Sequence, residues 1–336
     1  MWKHSQLTDT IWRSSMKKTK KDMAIHATII GIIVIILIVS VVKLVKWNQG
    51  SEDAGEVITD ENFDTEPEDY ITAMTSVQLA SKTDDGVCDI VFLGDDLLSQ
   101  YTGKDGLPGL TESMVENSKT YNIGFDGMHM SASSSTWSEE NASDSFSLYW
   151  VAKSIALKDF NLLNNYADQV NPDFSKTVKE LESIDFSTVD VLAITYGVHD
   201  YLDGRLITDV ADPNSISAYS GALKSSIEAI QEAYPHIRII VMSPTFCRVE
   251  QDGSVVNCDV TNTGYGMLAD YMVAAKSIAV ELNVSYLDNY YGVKINAETY
   301  KDYLEDNIHP NEAGRKLIAE RLADVINKNL TVEMDE

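Results

Sequence analysis

Residues 87–97 read VCDIVFLGDDL, an apolar run that ends in a glycine followed by two aspartates. Such a run, rich in β-branched and aromatic side chains, is typical of a strand buried on both faces of a sheet. Further short apolar runs follow along the chain at 119–123, 189–196, 238–243 and 284–288. Helical periodicity is found at 107–117, 219–234, 265–282 and 311–327. The alternation predicts a parallel sheet flanked by helices, that is, a three-layer α/β sandwich.

Residues suited to chemistry lie where the predicted strands end. Asp96 follows the first strand, Gly127 the second and His199 the third, while Asp306 and His309 precede the last helix. In an open parallel sheet, ligands and reactive groups collect at the carboxyl ends of the strands. We therefore expect these residues to share one site. The long connection before the third predicted strand contains two more helical patterns, at 146–157 and 177–184, which are expected to lie over that site.

Four blocks of the sequence resemble the SGNH/GDSL hydrolase family, in the order in which this family has them. They read FLGDDL at 92–97, NIGFDG at 122–127, YGVHDY at 196–201 and DNIHPNEAG at 306–314. The resemblance implies the flavodoxin-like fold of these hydrolases over residues 84–330. It also implies an ancestral esterase or deacetylase that acts on acylated cell-surface glycans or small esters.

Two positions depart from the pattern of the family. Asp96 stands where the family has its nucleophilic serine, and His199 stands where it has an asparagine that donates to the oxyanion. By the same resemblance, Gly127 would donate its backbone N–H to the oxyanion, and Asp306 would orient His309 as the general base. A carboxylate has no proton for that base to take. The sequence therefore predicts that ordinary serine catalysis is absent or very weak.

A serine displaced from the nucleophile position is the remaining route to ordinary catalysis. Ser99 lies three residues beyond Asp96, and further serines follow the second block at 131 and 133–135. None of them lies in a tight strand-to-helix turn, so we do not expect one to act as the nucleophile. Asp95 and Asp200 are expected to cap loops or to accept backbone hydrogen bonds at the strand ends.

Three hypotheses stay open for the altered site. In the first, the domain is a pseudoenzyme that binds a glycan, a peptide or a partner protein, with Asp96 and His199 as an ion pair. In the second, Asp96 attacks an alkyl carbon, and water activated by His309 cleaves the resulting ester. In the third, Asp96, His199 and His309 hold a divalent metal such as zinc or iron, with His129 as a further candidate ligand. Asp306 would then orient His309, and a metal-bound water would hydrolyse an ester or amide.

The N-terminal part of the sequence predicts a membrane anchor. Residues 23–42 form an uncharged run, and about 20 such residues are needed to cross a bilayer as a helix. Four lysines lie just before the run, at 17, 18, 20 and 21, and two lie just after it, at 43 and 46, which predicts a cytoplasmic N-terminus by the positive-inside rule. We therefore expect a basic cytoplasmic tail at 1–22, a single transmembrane signal anchor at 23–42, an acidic extracellular linker at 43–83 and an extracellular domain at 84–330.

The charge of the chain excludes one class of partner. Its formal net charge is −26, and residues 1–46 hold eight of the 26 basic residues but only two of the 52 acidic ones. The predicted outer domain is therefore strongly acidic and repels a phosphate backbone. The expected partners are the membrane, through one helix, and an acylated glycan or small ester, but no nucleic acid.

Two of the three cysteines flank a predicted hairpin. Asp252-Gly253 is a strong signal for a two-residue turn, and Cys247 and Cys258 lie at equal distances from it. Residues that face each other across a hairpin are close enough to be bridged. The sequence therefore favours a disulfide here, with two free thiols as the alternative. Cys88 is expected to be a small core residue.

Overall fold

The structure, a computed structural model, describes residues 66–328. Its strands are β1 (Cys88–Gly94), β2 (Ser118–Gly124), β3 (Val189–Ile194), β4 (Arg238–Met242), β5 (Arg248–Gln251), β6 (Ser254–Asn257) and β7 (Ser285–Leu287). Five of them form one sheet with the order β2-β1-β3-β4-β7, in which every neighbouring pair is parallel. The remaining two form an antiparallel hairpin. The predicted parallel sheet is therefore confirmed.

Helices connect the strands and flank the sheet. In chain order they are α1 (Ser76–Leu79), α2 (Asp96–Ser99), α3 (Leu107–Glu112), α4 (Leu148–Leu157), α5 (Asn161–Val170), α6 (Phe174–Ser183), α7 (Val198–Leu202), α8 (Tyr219–Ala233), α9 (Leu268–Glu281), α10 (Asn289–Gly292), α11 (Tyr300–Tyr303) and α12 (Glu312–Lys328). Short 3₁₀ segments lie at Gly103–Asp105, Glu139–Phe146 and Cys258–Val260. The long connection before β3 holds one helix more than its two helical patterns predicted.

The interior strand β1 shows why the sheet must be covered on both faces. Ile90, Val91, Phe92 and Leu93 have no exposed surface, and β2 and β3 pair with the two edges of this strand. Successive side chains of a strand point to opposite faces. Four consecutive buried residues therefore require apolar cover on each face, which the flanking helices provide.

The hairpin is formed as predicted, but its flanking cysteines are not bridged. The turn residues Asp252 and Gly253 have φ values of 52° and 75°, as a two-residue hairpin turn requires. Cys247 and Cys258 lie opposite each other, and the backbone N–H of Cys258 donates to the carbonyl of Cys247 at 3.1 Å. Both are free thiols. The predicted disulfide is thus not formed in this structure, in which the sulfur of Cys258 accepts a hydrogen bond from the backbone nitrogen of Cys247 at 3.2 Å.

The ordered domain begins earlier than the sequence indicated. Tyr70 forms an antiparallel bridge to Tyr286 of the edge strand β7, with N···O distances of 2.9 and 2.7 Å. The carboxylate of Asp69 forms an ion pair with Arg321 at 2.8 Å. The compact unit thus starts within the predicted linker at 43–83. The sequence interpretation failed here because acidic side chains that suggested a repelling spacer have basic partners that are distant in the chain.

The transmembrane prediction concerns residues that the structure does not describe. Within residues 66–328, no helix combines the length and the apolar character that a bilayer crossing needs. The predicted anchor at 23–42 and the basic tail at 1–22 lie outside the described residues, so both stay predictions.

Candidate active site

A tight turn at the end of β1 places Asp96 at the carboxyl edge of the sheet. Gly94 ends the strand, and a Cβ atom there would lie 1.9 Å from the hydroxyl oxygen of Thr195, so only glycine fits. Asp95 then caps α2, its side chain accepting a hydrogen bond from the backbone N–H of Leu97 at 3.4 Å. Asp96 is the first residue of this short helix. The chain therefore has no freedom to move Asp96 away from the strand end.

The carboxylate of Asp96 is held by three donors. Its Oδ1 accepts hydrogen bonds from the backbone N–H of Gly127 at 2.8 Å and from Nε2 of His199 at 2.6 Å. Its Oδ2 lies 3.1 Å from Nε2 of His309. Asp96 is only 5% exposed. The predicted site residues Asp96, Gly127, His199 and His309 are thus brought together by direct contacts.

Asp306 fixes the position of His309. Its Oδ2 lies 2.7 Å from Nδ1 of His309, and its Oδ1 accepts the backbone N–H groups of Ile308 and His309 at 2.8 Å each. The carboxylate therefore orients the ring and also shapes the loop that carries it. This is the positioning role that the sequence predicted for Asp306.

The three donors also decide the charges at the site. Burial alone would raise the pKa of Asp96, but hydrogen bonds from His199, His309 and Gly127 hold it well below its usual range. Burial opposes a positive charge on the two imidazoles, yet the hydrogen bonds and charges of their carboxylate partners raise the pKa of His199 and of His309 to about 9. At neutral pH the site therefore holds a carboxylate between two imidazolium groups.

Asp95 is a second buried carboxyl group beside this cluster. It is 1% exposed, and its Oδ2 has no hydrogen-bond partner within the described residues. Burial, and then the negative charge of Asp96, raise the pKa of Asp95 to about 7. Sequence reasoning predicted the capping contact of Asp95 but not its shifted titration, because burial of a particular carboxyl oxygen depends on tertiary packing.

Asp200 joins the second and third site loops. It has no exposed surface, and its carboxylate accepts the backbone N–H groups of Met130 and Ser131 at 2.6 and 3.0 Å. The loop after Gly127 is thereby tied to α7, which carries His199. The expectation that Asp200 would accept backbone hydrogen bonds is confirmed.

Comparison with known proteins identifies the same family that the four sequence blocks resemble. The family model of the GDSL-like lipase/acylhydrolase family matches residues 92–317, which is more than half of the chain and includes Asp96, Gly127, His199, Asp306 and His309. The chain belongs to this family. No curated protein matches it.

Several solved structures are similar to this chain over most of its length. One crystal structure has a TM-score of 0.53 at 17% identity, with 72% of this chain and 96% of the other covered. A protein from Lactobacillus plantarum has 18% identity, coverages of 73% and 99%, and a TM-score of 0.49. A possible lipase from Chitinophaga pinensis has 16% identity, coverages of 72% and 99%, and a TM-score of 0.47. The first of these likenesses shows a shared fold, and at 17% identity it shows no more than that.

Three of the five serines considered as displaced nucleophiles donate to aspartate side chains. The hydroxyl of Ser99 donates to Asp126 at 3.2 Å, and that of Ser131 donates to Asp200 at 2.5 Å. Ser133 donates to Asp144 at 2.9 Å. Within the described residues, no serine hydroxyl forms a hydrogen bond with a site histidine of the kind that serine catalysis in this family needs.

The three proposed metal ligands do not form the geometry of a metal site. Within the described residues, no group of three or more His, Cys, Asp or Glu side chains is arranged to hold a metal ion. The Nε2 atoms of His199 and His309 face the oxygens of Asp96 at hydrogen-bond distances, so a metal would have to replace those contacts. The other candidate ligand, His129, instead pairs with Asp203 at 2.7 Å.

Two cavities lie near this end of the sheet. The one that adjoins the cluster measures about 30 Å³ and is lined by Asp95, Asp96, Thr245 and His309 among others. It has room for about one water molecule. A much larger cavity of about 890 Å³ does not include Asp96 and runs instead along β2.

Proposed function

We propose that this chain is a membrane-anchored, extracellular member of the GDSL family that has lost serine ester hydrolysis and serves as a binding domain. One observation carries the proposal. A single oxygen of Asp96, Oδ1, accepts hydrogen bonds from both Gly127 and His199. These residues occupy the positions from which the family donates to the substrate oxyanion, so the side chain of Asp96 fills the oxyanion hole of its own site.

The filled hole opposes catalysis by charge as well as by volume. Taken by itself, the carboxylate would repel an oxyanion that formed about 4 Å away by at most about 4 kcal/mol at an effective dielectric near 20, and the two imidazolium groups offset part of this repulsion. The upper limit corresponds to close to three decades in rate. Because the hydrogen-bond donors of the site are already occupied by Asp96, they are not available to stabilise the negative charge that develops on a substrate.

The protonation of His309 removes the general base. Because the pKa of His309 is raised to about 9, only about one molecule in a hundred has a neutral imidazole at pH 7. The same contacts argue against attack by Asp96 on an alkyl carbon, since both of its oxygens are hydrogen-bonded and its pKa is lowered. A carboxylate held in this way is a weak nucleophile.

The membrane placement rests on the sequence. The uncharged run at 23–42 has the length of a membrane-crossing helix, and lysines are more numerous before it than after it. The domain would then face the cell exterior, where the polymers of the cell surface are the available ligands. Protease protection of the C-terminal part in intact cells, compared with lysed cells, tests this placement.

A fluorophosphonate probe tests the loss of serine chemistry. Such a probe reacts with an activated serine, and we expect no labelling of the full-length chain in detergent. Asp96→Ser is the matched variant, because it restores the hydroxyl and frees the donors of Gly127 and His199; we expect this variant to be labelled. Labelling of the wild-type chain that disappears in His309→Ala would contradict the proposal.

A further inference from the structure

A groove separate from the Asp96 pocket runs along the outer edge of the sheet. It measures about 890 Å³ and is lined by the edge strand β2, by the segment that follows α2 and by the start of α6. Its volume lies within the range of about 300–1,000 Å³ that is usual for ligand sites. The groove is therefore large enough for a ligand and not only for water.

The edge strand in this groove is closed to backbone pairing. The backbone N–H of Thr120 donates to Glu112 at 2.8 Å, and that of Asn122 donates to Glu180 at 3.3 Å. A peptide that added to the sheet as a further strand would need these donors. Carboxylates that cap an edge in this way are a means of preventing strand addition. A peptide that binds by strand addition is thus not the ligand that the groove fits.

Polar side chains that are free to bind remain around the groove. The hydroxyls of Thr102 and Thr177 and the ammonium groups of Lys104 and Lys176 line it, and none has a hydrogen bond or ion pair within residues 66–328. The carboxylate of Asp173 also lines it and accepts no hydrogen bond in the same part of the chain. The groove therefore offers both donors and an acceptor to a ligand.

The charges and the small apolar surface of the groove disfavour two classes of ligand, anionic polymers and fatty acyl chains. Its lining has four carboxylates, from Glu112, Asp126, Asp173 and Glu180, against two lysines, so an anionic polymer is disfavoured. Phe174 is 2% exposed and presents almost no apolar surface. A fatty acyl chain would find few apolar contacts here.

We propose that this groove binds a neutral saccharide chain. A ligand covered with hydroxyl groups both donates and accepts hydrogen bonds, and so matches a lining that presents free hydroxyls, ammonium groups and a carboxylate together. The assignment deepens the binding role of the domain and rests on it. The groove is separate from the altered site but adjoins it along the chain: Ser99, which lines the groove, ends the helix that Asp96 begins, and Asp126 precedes Gly127.

Calorimetric titration with chitohexaose, cellohexaose and maltohexaose tests the proposal. The full-length chain is used in a detergent without a sugar headgroup, so that the detergent does not compete. We expect saturable binding of at least one of the three. Lys176→Ala and Thr177→Val should each weaken it by up to about tenfold, the range expected for loss of one hydrogen bond. If none of the three oligosaccharides binds, the proposal is overturned.

A matched control comes from the same helix. Lys179 is exposed on α6 but does not line the groove, so Lys179→Ala should leave the affinity unchanged. Equal weakening by Lys179→Ala and Lys176→Ala would overturn the assignment of the groove. Calorimetry detects binding without any catalytic turnover. Failure of saccharide binding is therefore seen independently of ester hydrolysis, which the fluorophosphonate experiment measures on its own.

Discussion

Nε2 of His199 lies 2.6 Å from Oδ1 of Asp96, the same oxygen that accepts the backbone N–H of Gly127. The distance is that of a short, charge-assisted hydrogen bond. Two substitutions relative to the family pattern have thus produced one contact. The aspartate supplies a negative charge where a substrate would develop one, and the histidine supplies a positive charge that an asparagine could not.

Removing the charge of Asp96 is expected to destabilise the domain. Asp96→Asn leaves two buried imidazolium groups without a counter-charge, which we expect to lower the free energy of unfolding by about 3 kcal/mol at pH 7. Urea unfolding followed by circular dichroism measures this free energy.

Asp203→Asn is the matched control, because Asp203 also pairs with a histidine but its side chain is 58% exposed. The control should change the free energy by less than about 1 kcal/mol. Equal effects of the two variants would contradict the buried ion-pair cluster.

The stability of the domain should depend on pH in a direction that the site sets. The folded-state pKa values of His199 and His309 are about 9, above the unfolded value of about 6.5, so their contribution is complete below pH 6.5 and is lost as pH rises through 9. The folded-state pKa of Asp95 is raised to about 7, so its contribution to stability is lost as pH rises from about 4 to 7. The lowered pKa of Asp96 acts oppositely, and its contribution is lost only as the solution becomes strongly acidic.

Unfolding midpoints measured from pH 4 to 10 check this dependence. We expect the stability to fall steadily across that range. Asp95→Asn should remove the loss of stability below pH 7. His199→Gln should reduce the loss of stability as pH approaches 9. NMR titration of the imidazole C–H signals gives the two histidine pKa values directly. Values at or below 6.5 would show that neither ring is paired with a carboxylate.

A vacated oxyanion hole should bind a small carboxylate. In Asp96→Ala the donors of Gly127, His199 and His309 remain, and acetate can take the place of the lost side chain. At a concentration about ten times its dissociation constant, acetate should stabilise the variant by about 1.4 kcal/mol. Thermal unfolding with sodium acetate, compared with sodium chloride at equal ionic strength, measures the effect. The wild-type chain should show no such difference between the salts, and the same acetate effect in both proteins would argue against a specific hole.

The three cysteines should all react as thiols. Alkylation of the denatured chain with N-ethylmaleimide, without reductant, should add three groups in the intact mass, since Cys88, Cys247 and Cys258 are free. The addition of only one group would mean that the two hairpin cysteines are bridged. Cys247→Ser is the control that prevents the bridge and should then give two additions.

The sequence could bring the candidate site residues together because Asp96, Gly127 and His199 each follow a recognisable strand, while His309 lies just before the last helix. The apolar run before Asp96 and the order of the four blocks fixed which loops meet at the sheet edge, and the contacts of Asp96 with Gly127, His199 and His309 agree with this. The capping of α2 by Asp95 was also predictable, because an aspartate between a strand and a helix commonly has this role.

The features that the sequence did not predict depend on contacts between distant parts of the chain. The pairing of Asp69 with Arg321 could not be seen in a locally acidic segment, so the start of the domain was predicted too late. Strand register indicates that Cys247 faces Cys258, but not whether the thiols are oxidised. The groove along β2 combines residues from three separate segments, and no single motif marks it.

Hydrolysis of p-nitrophenyl acetate at pH 7 by the wild-type chain and by His309→Ala is the most direct test of the central claim. If Asp96 fills the oxyanion hole and His309 is protonated, the two proteins should hydrolyse the ester at the same low rate, close to that of buffer. A wild-type rate ten or more times that of His309→Ala would contradict the claim, because it would require a neutral His309 and an open oxyanion hole.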